Sequence, residues 1–85
     1  MTPTTTPTTR HRHLAVETTA DPDVLLRVLV LLRRRGCIVR GVDFSAGDRH
    51  APTRLRIAVQ SSTRPAHRLE AWLRNVVGVL EAREE

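Results

Sequence analysis

The stretch Pro22–Gly36 constrains this chain more than any other. Val24, Leu25, Val28, Leu31 and Leu32 recur at i, i+1, i+4, i+7 and i+8, one broad apolar face at helical period. Asp21 and Asp23 flank a proline at its start, and three arginines followed by Gly36 close it. Acids suit the positive end of a helix dipole and arginines the negative end, while glycine takes the left-handed position that follows. Leu26 and Val30 point the other way, among Arg27, Arg33 and Arg34. Scattered surface apolar residues are ordinary. The same stripe also fits contact with a second chain.

The helix must bury its apolar face against something, and its flanks supply strands. His13 to Thr19 alternates, with Leu14, Val16 and Thr18 on one side and Ala15 and Glu17 on the other. Cys37 to Ser45 reads as a second strand, with Ile38, Val42 and Phe44 on one face, Val39 out of step, and Gly41 marking a bulge. Ala46 to Pro52 is a polar turn. Thr53 to Gln60 alternates most cleanly, with Leu55, Ile57 and Val59 opposite Arg54 and Arg56. Ser62 or Thr63 caps a second helix with Pro65 in its first turn, and Ala66, Leu69, Leu73 and Val76 form its apolar stripe up to Gly78. Val79 to Arg83 closes the chain as a short strand.

The order is β-α-β-β-α-β. Right-handed crossovers turn that order into the ferredoxin-like α+β fold, four antiparallel strands with both helices on one face. The other face must then be polar or paired, which Arg54 and Arg56 support. The expected core is Leu14, Val16, Val24, Leu25, Val28, Leu32, Leu55, Ile57, Val59, Leu69, Leu73 and Val76. Residues 1–12, rich in threonine and proline, bury too little to fold and read as a disordered tail, with neither the apolar run of a secretory signal nor a membrane span anywhere after it. About 70 residues make a marginal core. The second strand falls at a sheet edge, so pairing of two copies along that strand and the first helix is expected.

The net charge of +5 is spread over every element, without the block of like charges that would mark a nucleic-acid arm. The aromatics are Phe44 and Trp72, neither in the third strand, so the base-stacking platform of RNA-binding sheets is missing and no nucleic acid is expected. Cys37, the single cysteine, fits a reducing cytoplasm and reads as a buried side chain rather than a nucleophile. His11 and His13 lack the further ligands that zinc needs, so no metal is expected. Asp21 and Asp23 are explained by the helix start rather than by acid–base chemistry. No phosphate loop, CxxC, HExxH or nucleophile elbow occurs, so the chain is not expected to be an enzyme on its own.

Pro22, Val24, Leu25, Arg27 and Val28, then Arg34, Arg35 and Gly36, and finally Trp72-Leu73-Arg74-Asn75-Val76-Val77-Gly78-Val79, form a connected pattern. It resembles ACT domains, in particular the small regulatory subunit of acetolactate synthase (acetohydroxyacid synthase), over residues 13–85. The chain lacks the second domain of most such subunits and looks like the short isozyme II type. The resemblance implies binding to, and activation of, a large catalytic subunit carrying thiamine diphosphate, FAD and magnesium, in valine, leucine and isoleucine synthesis. No cofactor is implied in this chain itself.

Valine-regulated members resemble one another in a Glu-Asn-x-Pro-Gly turn at the first helix start, where backbone N–H groups receive the effector's carboxylate. This chain departs from that turn, with Thr19, Ala20, Asp21, Pro22 and Asp23. By the resemblance its effector positions are Ala20, Asp23, Val24 and Ile38, and they imply insensitivity to valine. Leu26, Val30, Arg33 and Arg34 are the candidate subunit contacts. Two other readings stay open: a free-standing ACT module that binds a small amino acid and regulates another enzyme or transporter, and a dimerisation module without ligand.

Overall fold

The computed structural model describes residues 10–61 and 67–85. The elements are β1 (Arg10–Thr18), α1 (Asp23–Arg34), β2 (Cys37–Ser45), β3 (Thr53–Ser61), α2 (His67–Arg74) and β4 (Val79–Glu84). They form the expected α+β, ferredoxin-like fold, an antiparallel sheet in the order β2-β3-β1-β4 with both helices on one face. β2 is an edge strand.

The register of β1 on β3 sets the core. Leu14 lies opposite Ile57 and Val16 opposite Leu55, and all four are buried. Period-two alternation then sends His13, Ala15 and Glu17 to the uncovered face with Ala58, Arg56 and Arg54. From α1 come Val24, Val28 and Leu32, from α2 Leu69 and Leu73, and from β4 Ala82. Cys37 is buried, as expected. Leu25 and Val76 are only partly buried against this layer.

Three local features differ from the sequence expectation. β1 begins at Arg10, inside the stretch read as a tail, because the ladder continues through Arg12 opposite Val59 and Arg10 opposite Ser61. Backbone pairing thereby carries a charged side chain inside: Arg12 is buried, with Nε 3.8 Å from Glu84 Oε2 and Nη1 without a hydrogen-bond partner among the described residues. In β2 the register breaks between Val39 and Gly41, so Arg40 is the extra residue. A one-residue bulge switches the parity of the strand. Val39 therefore lies opposite Val59, on the same side as Val42 opposite Ile57, while Ile38 pairs with Gln60 on the uncovered side. The expected face of Ile38, Val42 and Phe44 is thus split by the bulge, and Val39 is in step rather than out of it.

The third difference is the end of α2. It stops at Arg74, not at Gly78, and successive tight turns follow: Val76 N–H donates to Leu73 O at 3.0 Å and Val79 N–H to Val76 O at 3.0 Å. Gly78 takes φ 98°, and a Cβ there would run into the Val24 side chain. The expected caps Ser62 and Thr63, with Pro65 and Ala66, lie outside the described residues. α1 ends as expected, with Gly36 at φ 82°. The Arg35 guanidinium stacks 4.0 Å from the centre of the Trp72 ring, joining the ends of the two helices. Arg74 Nε lies 3.0 Å from Glu81 Oε1, joining α2 to β4. The Ala82 N–H, and then Arg74, hold the Glu81 carboxyl below its ordinary value of 4.5. Because that pKa is depressed, this tie is present at neutral pH and is lost as pH falls through the folded value.

Two pairs of substitutions test this packing by denaturant unfolding. Gly78→Ala is expected to cost more than about 1 kcal/mol, through its left-handed backbone and the approach to Val24, whereas Gly41→Ala, with nothing within 4 Å of the added Cβ, is expected to be neutral or slightly stabilising. Leu32→Ala is expected to cost about 2–5 kcal/mol, against less than about 1 for Leu26→Ala on the opposite face.

Candidate functional site

Two surfaces carry the residues that the sequence singles out. The first is the turn from β1 into α1. Pro22 occupies the N-cap position and offers no side-chain cap. Asp21 serves the helix start instead: its Oδ1 accepts from Asp23 N–H at 2.9 Å and its carbonyl from Val24 N–H at 3.2 Å. The turn leading out of α2 closes against it, with Thr19 N–H donating to Gly78 O at 2.8 Å and Arg27 Nη1 to Val77 O at 3.3 Å. The Asp23 and Val24 N–H groups at this helix start are therefore already engaged by the chain itself.

Ala20 is exposed beside a depression of about 280 Å³ that Thr18, Asp48 and Thr53 also line. Both threonine hydroxyls have partners, Thr18 donating to Thr19 O at 2.8 Å and Thr53 accepting from Gly47 N–H at 3.1 Å. Asp23 is exposed at the first residue of α1, and Val24 is buried beneath Gly78. Ile38 is elsewhere. Its ladder partner Gln60 is seven residues along β3 from Thr53, which pairs with Thr18 at the end of β1. Seven residues of strand span about 23 Å. One copy of the chain brings Ala20, Asp23 and Val24 together and leaves Ile38 at the far end of the sheet.

The second surface is the outer face of α1. Leu26 is 61% exposed and Val30 51%, and with Leu31 and Val76 they line a shallow groove of about 380 Å³ flanked by Arg27 and Arg34. Arg33 is exposed on the other flank. Val77, 77% exposed, extends the apolar surface beyond helix α1. The sequence reading placed Val76 in the core and did not single out Val77, because it ran the second helix on to Gly78; the turn exit needed for Gly78's left-handed backbone is the signal that places them here. A larger groove of about 600 Å³ lies between α1 and the free edge of β2, lined by Leu29, Cys37, Ile38 and Val39.

The uncovered face of the sheet is polar, as expected. Arg54 lies 3.6 Å from Glu17, Arg56 2.9 Å from Glu85, and Arg40 binds Gln60 through Nε at 2.8 Å. Among the described residues no three His, Cys, Asp or Glu side chains are grouped to hold a metal, and no helix is long and apolar enough to cross a membrane.

No family model and no curated protein matches the sequence. The fold does have solved counterparts. The crystal structure of the ACT domain from GTP pyrophosphokinase of Chlorobium tepidum superposes with a TM-score of 0.73 at 12% identity, over 91% of this chain and 99% of that one. The solution structure of the same domain gives 0.72 at 13% identity, over 92% and 88%. The C-terminal domain of the MgtC protein from Mycobacterium tuberculosis gives 0.70 at 18% identity, over 96% and 92%. At these identities the likeness is one of fold, and the fold is that of ACT domains.

Because Leu26 and Val30 are more than half exposed, replacing both with glutamate is expected to shift unfolding stability by less than about 1 kcal/mol. The same change is expected to abolish whatever association the α1 face supports, read by light scattering of the pure chain and by co-purification with a partner.

Proposed function

We propose that this chain is a non-catalytic regulatory subunit that binds and activates the catalytic subunit of acetolactate synthase, without responding to valine. The observation that carries the reading is the ACT-type fold joined to the motif run Pro22, Val24, Leu25, Arg27, Val28 and Arg34-Arg35-Gly36, which resembles that subunit family. The solved neighbours are domains of larger proteins, GTP pyrophosphokinase and MgtC. A chain of the same fold acting on a separate catalytic protein fits that division of labour. The implied partner holds thiamine diphosphate, FAD and magnesium, and the setting is the cytoplasm. Activation is a population shift, in which the subunit binds the active conformation of its partner more tightly than the inactive one. A hundredfold rise in turnover needs about 2.7 kcal/mol of differential affinity.

The β1–α1 turn supports insensitivity to valine. Thr19, Asp23 and Val24 already give their N–H groups to Gly78 and Asp21. An effector carboxylate within about 4 Å of Asp23 would be repelled by about 1 kcal/mol in bulk water and about 4 at an effective dielectric near 20. Asp23 is exposed, so the value lies toward the lower end. Two copies pairing along β2 and α1 belong to the same reading.

A second reading rests on the depression beside Ala20, whose size suits a small amino acid: a free-standing ACT module that regulates another enzyme or a transporter. Titration calorimetry separates the two. Valine, leucine and isoleucine are expected to give no saturable heat below about 1 mM, equivalent to about −4.1 kcal/mol; saturation below that concentration favours the second reading. In the decisive assay the pure chain alone makes no acetolactate, co-purifies with the catalytic subunit and raises its turnover. Failure to co-purify or to raise turnover removes acetolactate synthase from the proposal.

A further inference from the structure

The groove along α1 has a floor, a wall and a charged rim. Leu31 and Val76, half-buried against the core, make the floor, and Leu26 and Val30 stand along it, more than half exposed. Arg27 and Arg34 make the rim. They are seven residues apart, close to two helical turns, so both leave the same flank, about 10 Å apart along the axis. Arg27 is braced on the exit from α2, with Nη1 3.3 Å from Val77 O, and lies 3.8 Å from Asp21 Oδ2. Arg34 has no hydrogen bond or ion pair among the described residues. Asp21 and Asp23 keep the acids at the start of α1; among the described residues no Asp or Glu lines the groove.

These features select an occupant. α1 uses its backbone hydrogen bonds internally, and no strand edge borders the groove, so an extended segment finds no ladder there. A helix brings its own backbone bonds, and its side chains three and four apart match the spacing of Leu26 and Val30. The cationic rim calls for carboxylates on one flank of that helix, about two turns apart, opposite Arg27 and Arg34. An anionic lipid surface matches the charge but not the shape, because the floor of Leu31 and Val76 lies below the exposed side chains. A second copy joined along β2 meets the other flank of α1, over Leu29, Ile38 and Val39, and leaves this groove open.

We propose that the groove between α1 and the exit from α2 is the docking site for an acidic amphipathic helix of the catalytic subunit. Such docking rests on the reading above, activation of acetolactate synthase, and adds the face and the chemistry through which this chain acts. The apolar patch is small against the roughly 800 Å² per partner of a standard interface, so micromolar half-activation is expected, with charge carrying part of the affinity.

The full chain is titrated into the purified catalytic subunit of acetolactate synthase while turnover is followed. Val30→Glu and Arg34→Glu are each expected to raise the half-activating concentration by about tenfold or more, with Arg34→Lys between them and the unchanged chain. Arg54→Glu makes the same charge change on the uncovered face of the sheet and is expected to stay within about twofold. All these side chains are exposed, so melting temperatures close to that of the unchanged chain are expected and are checked first. Two readouts need no charge reversal. Half-activation by the unchanged chain is expected to weaken as salt rises from about 0.05 to 0.5 M. A photo-crosslinking side chain at position 30 is expected to join a segment of the catalytic subunit that carries aliphatic residues at helical spacing between acids.

If the unchanged chain neither binds nor activates, the functional reading fails and the docking site with it. If it activates but Val30→Glu and Arg34→Glu shift half-activation no more than Arg54→Glu, or the crosslinked segment lacks acids, the docking site is wrong and the functional reading stands. A crosslink to another copy of this chain, or a sedimentation mass lowered by Val30→Glu, assigns the groove to self-association and overturns the proposal. So does binding to phosphatidylglycerol vesicles that Val30→Glu abolishes.

Discussion

One apolar layer between the sheet and the two helices positions every element. The sheet supplies Leu14, Val16, Leu55, Ile57 and Val59, and the helices answer with Val24, Val28, Leu32, Leu69 and Leu73. All are aliphatic; Phe44 is exposed and Trp72 lies beside the layer, not in it. A domain of this size buries a modest share of its surface, and its stability is a small difference between large terms. The layer is therefore sensitive at its rim, where Gly78 must let Val24 sit against the exit from α2. It also leaves surplus apolar residues outside it. Leu26, Val30, Ile38 and Val77 have no second layer to enter.

The charges divide into two groups with different consequences. On the uncovered face of the sheet Arg54 and Arg56 each have a carboxylate across the strands, and the Arg74–Glu81 pair ties helix to strand. Exposed pairs of this kind add at most about 1 kcal/mol each. At the end of α1, Arg33 and Arg34 have no such counterpart among the described residues, and neither does Asp23 at its start. Unpaired charges beside an apolar stripe contribute little to the fold, but they steer what approaches it. Leu26, Val30 and the unengaged Arg34 thus share the outer face of α1, whereas in the turn into that helix the N–H groups of Thr19, Asp23 and Val24 are taken up by Gly78 and Asp21.

Much of this was legible in the order of residues. The helical period from Val24 to Leu32, the strict alternation of Thr53 to Gln60 and the glycines at 36 and 41 determined the element order, the buried faces of α1 and β3, and the presence of a bulge, since each depends on contacts within a few residues. The candidate stripe of Leu26 and Val30 followed from the same period. Tertiary structure decided the rest. That Arg10–Arg12 join β1 depends on β3 offering ladder partners as far as Ser61, a fact about a distant segment. The side to which Ile38 turns depends on which residue of β2 is skipped by the pairing, which no single-strand pattern contains. The stop of α2 at Arg74 depends on room for Gly78 against Val24. Local periodicity specifies which face of an element is apolar; only the partner strand or helix fixes where pairing begins, slips and ends, because those contacts join residues far apart in the chain.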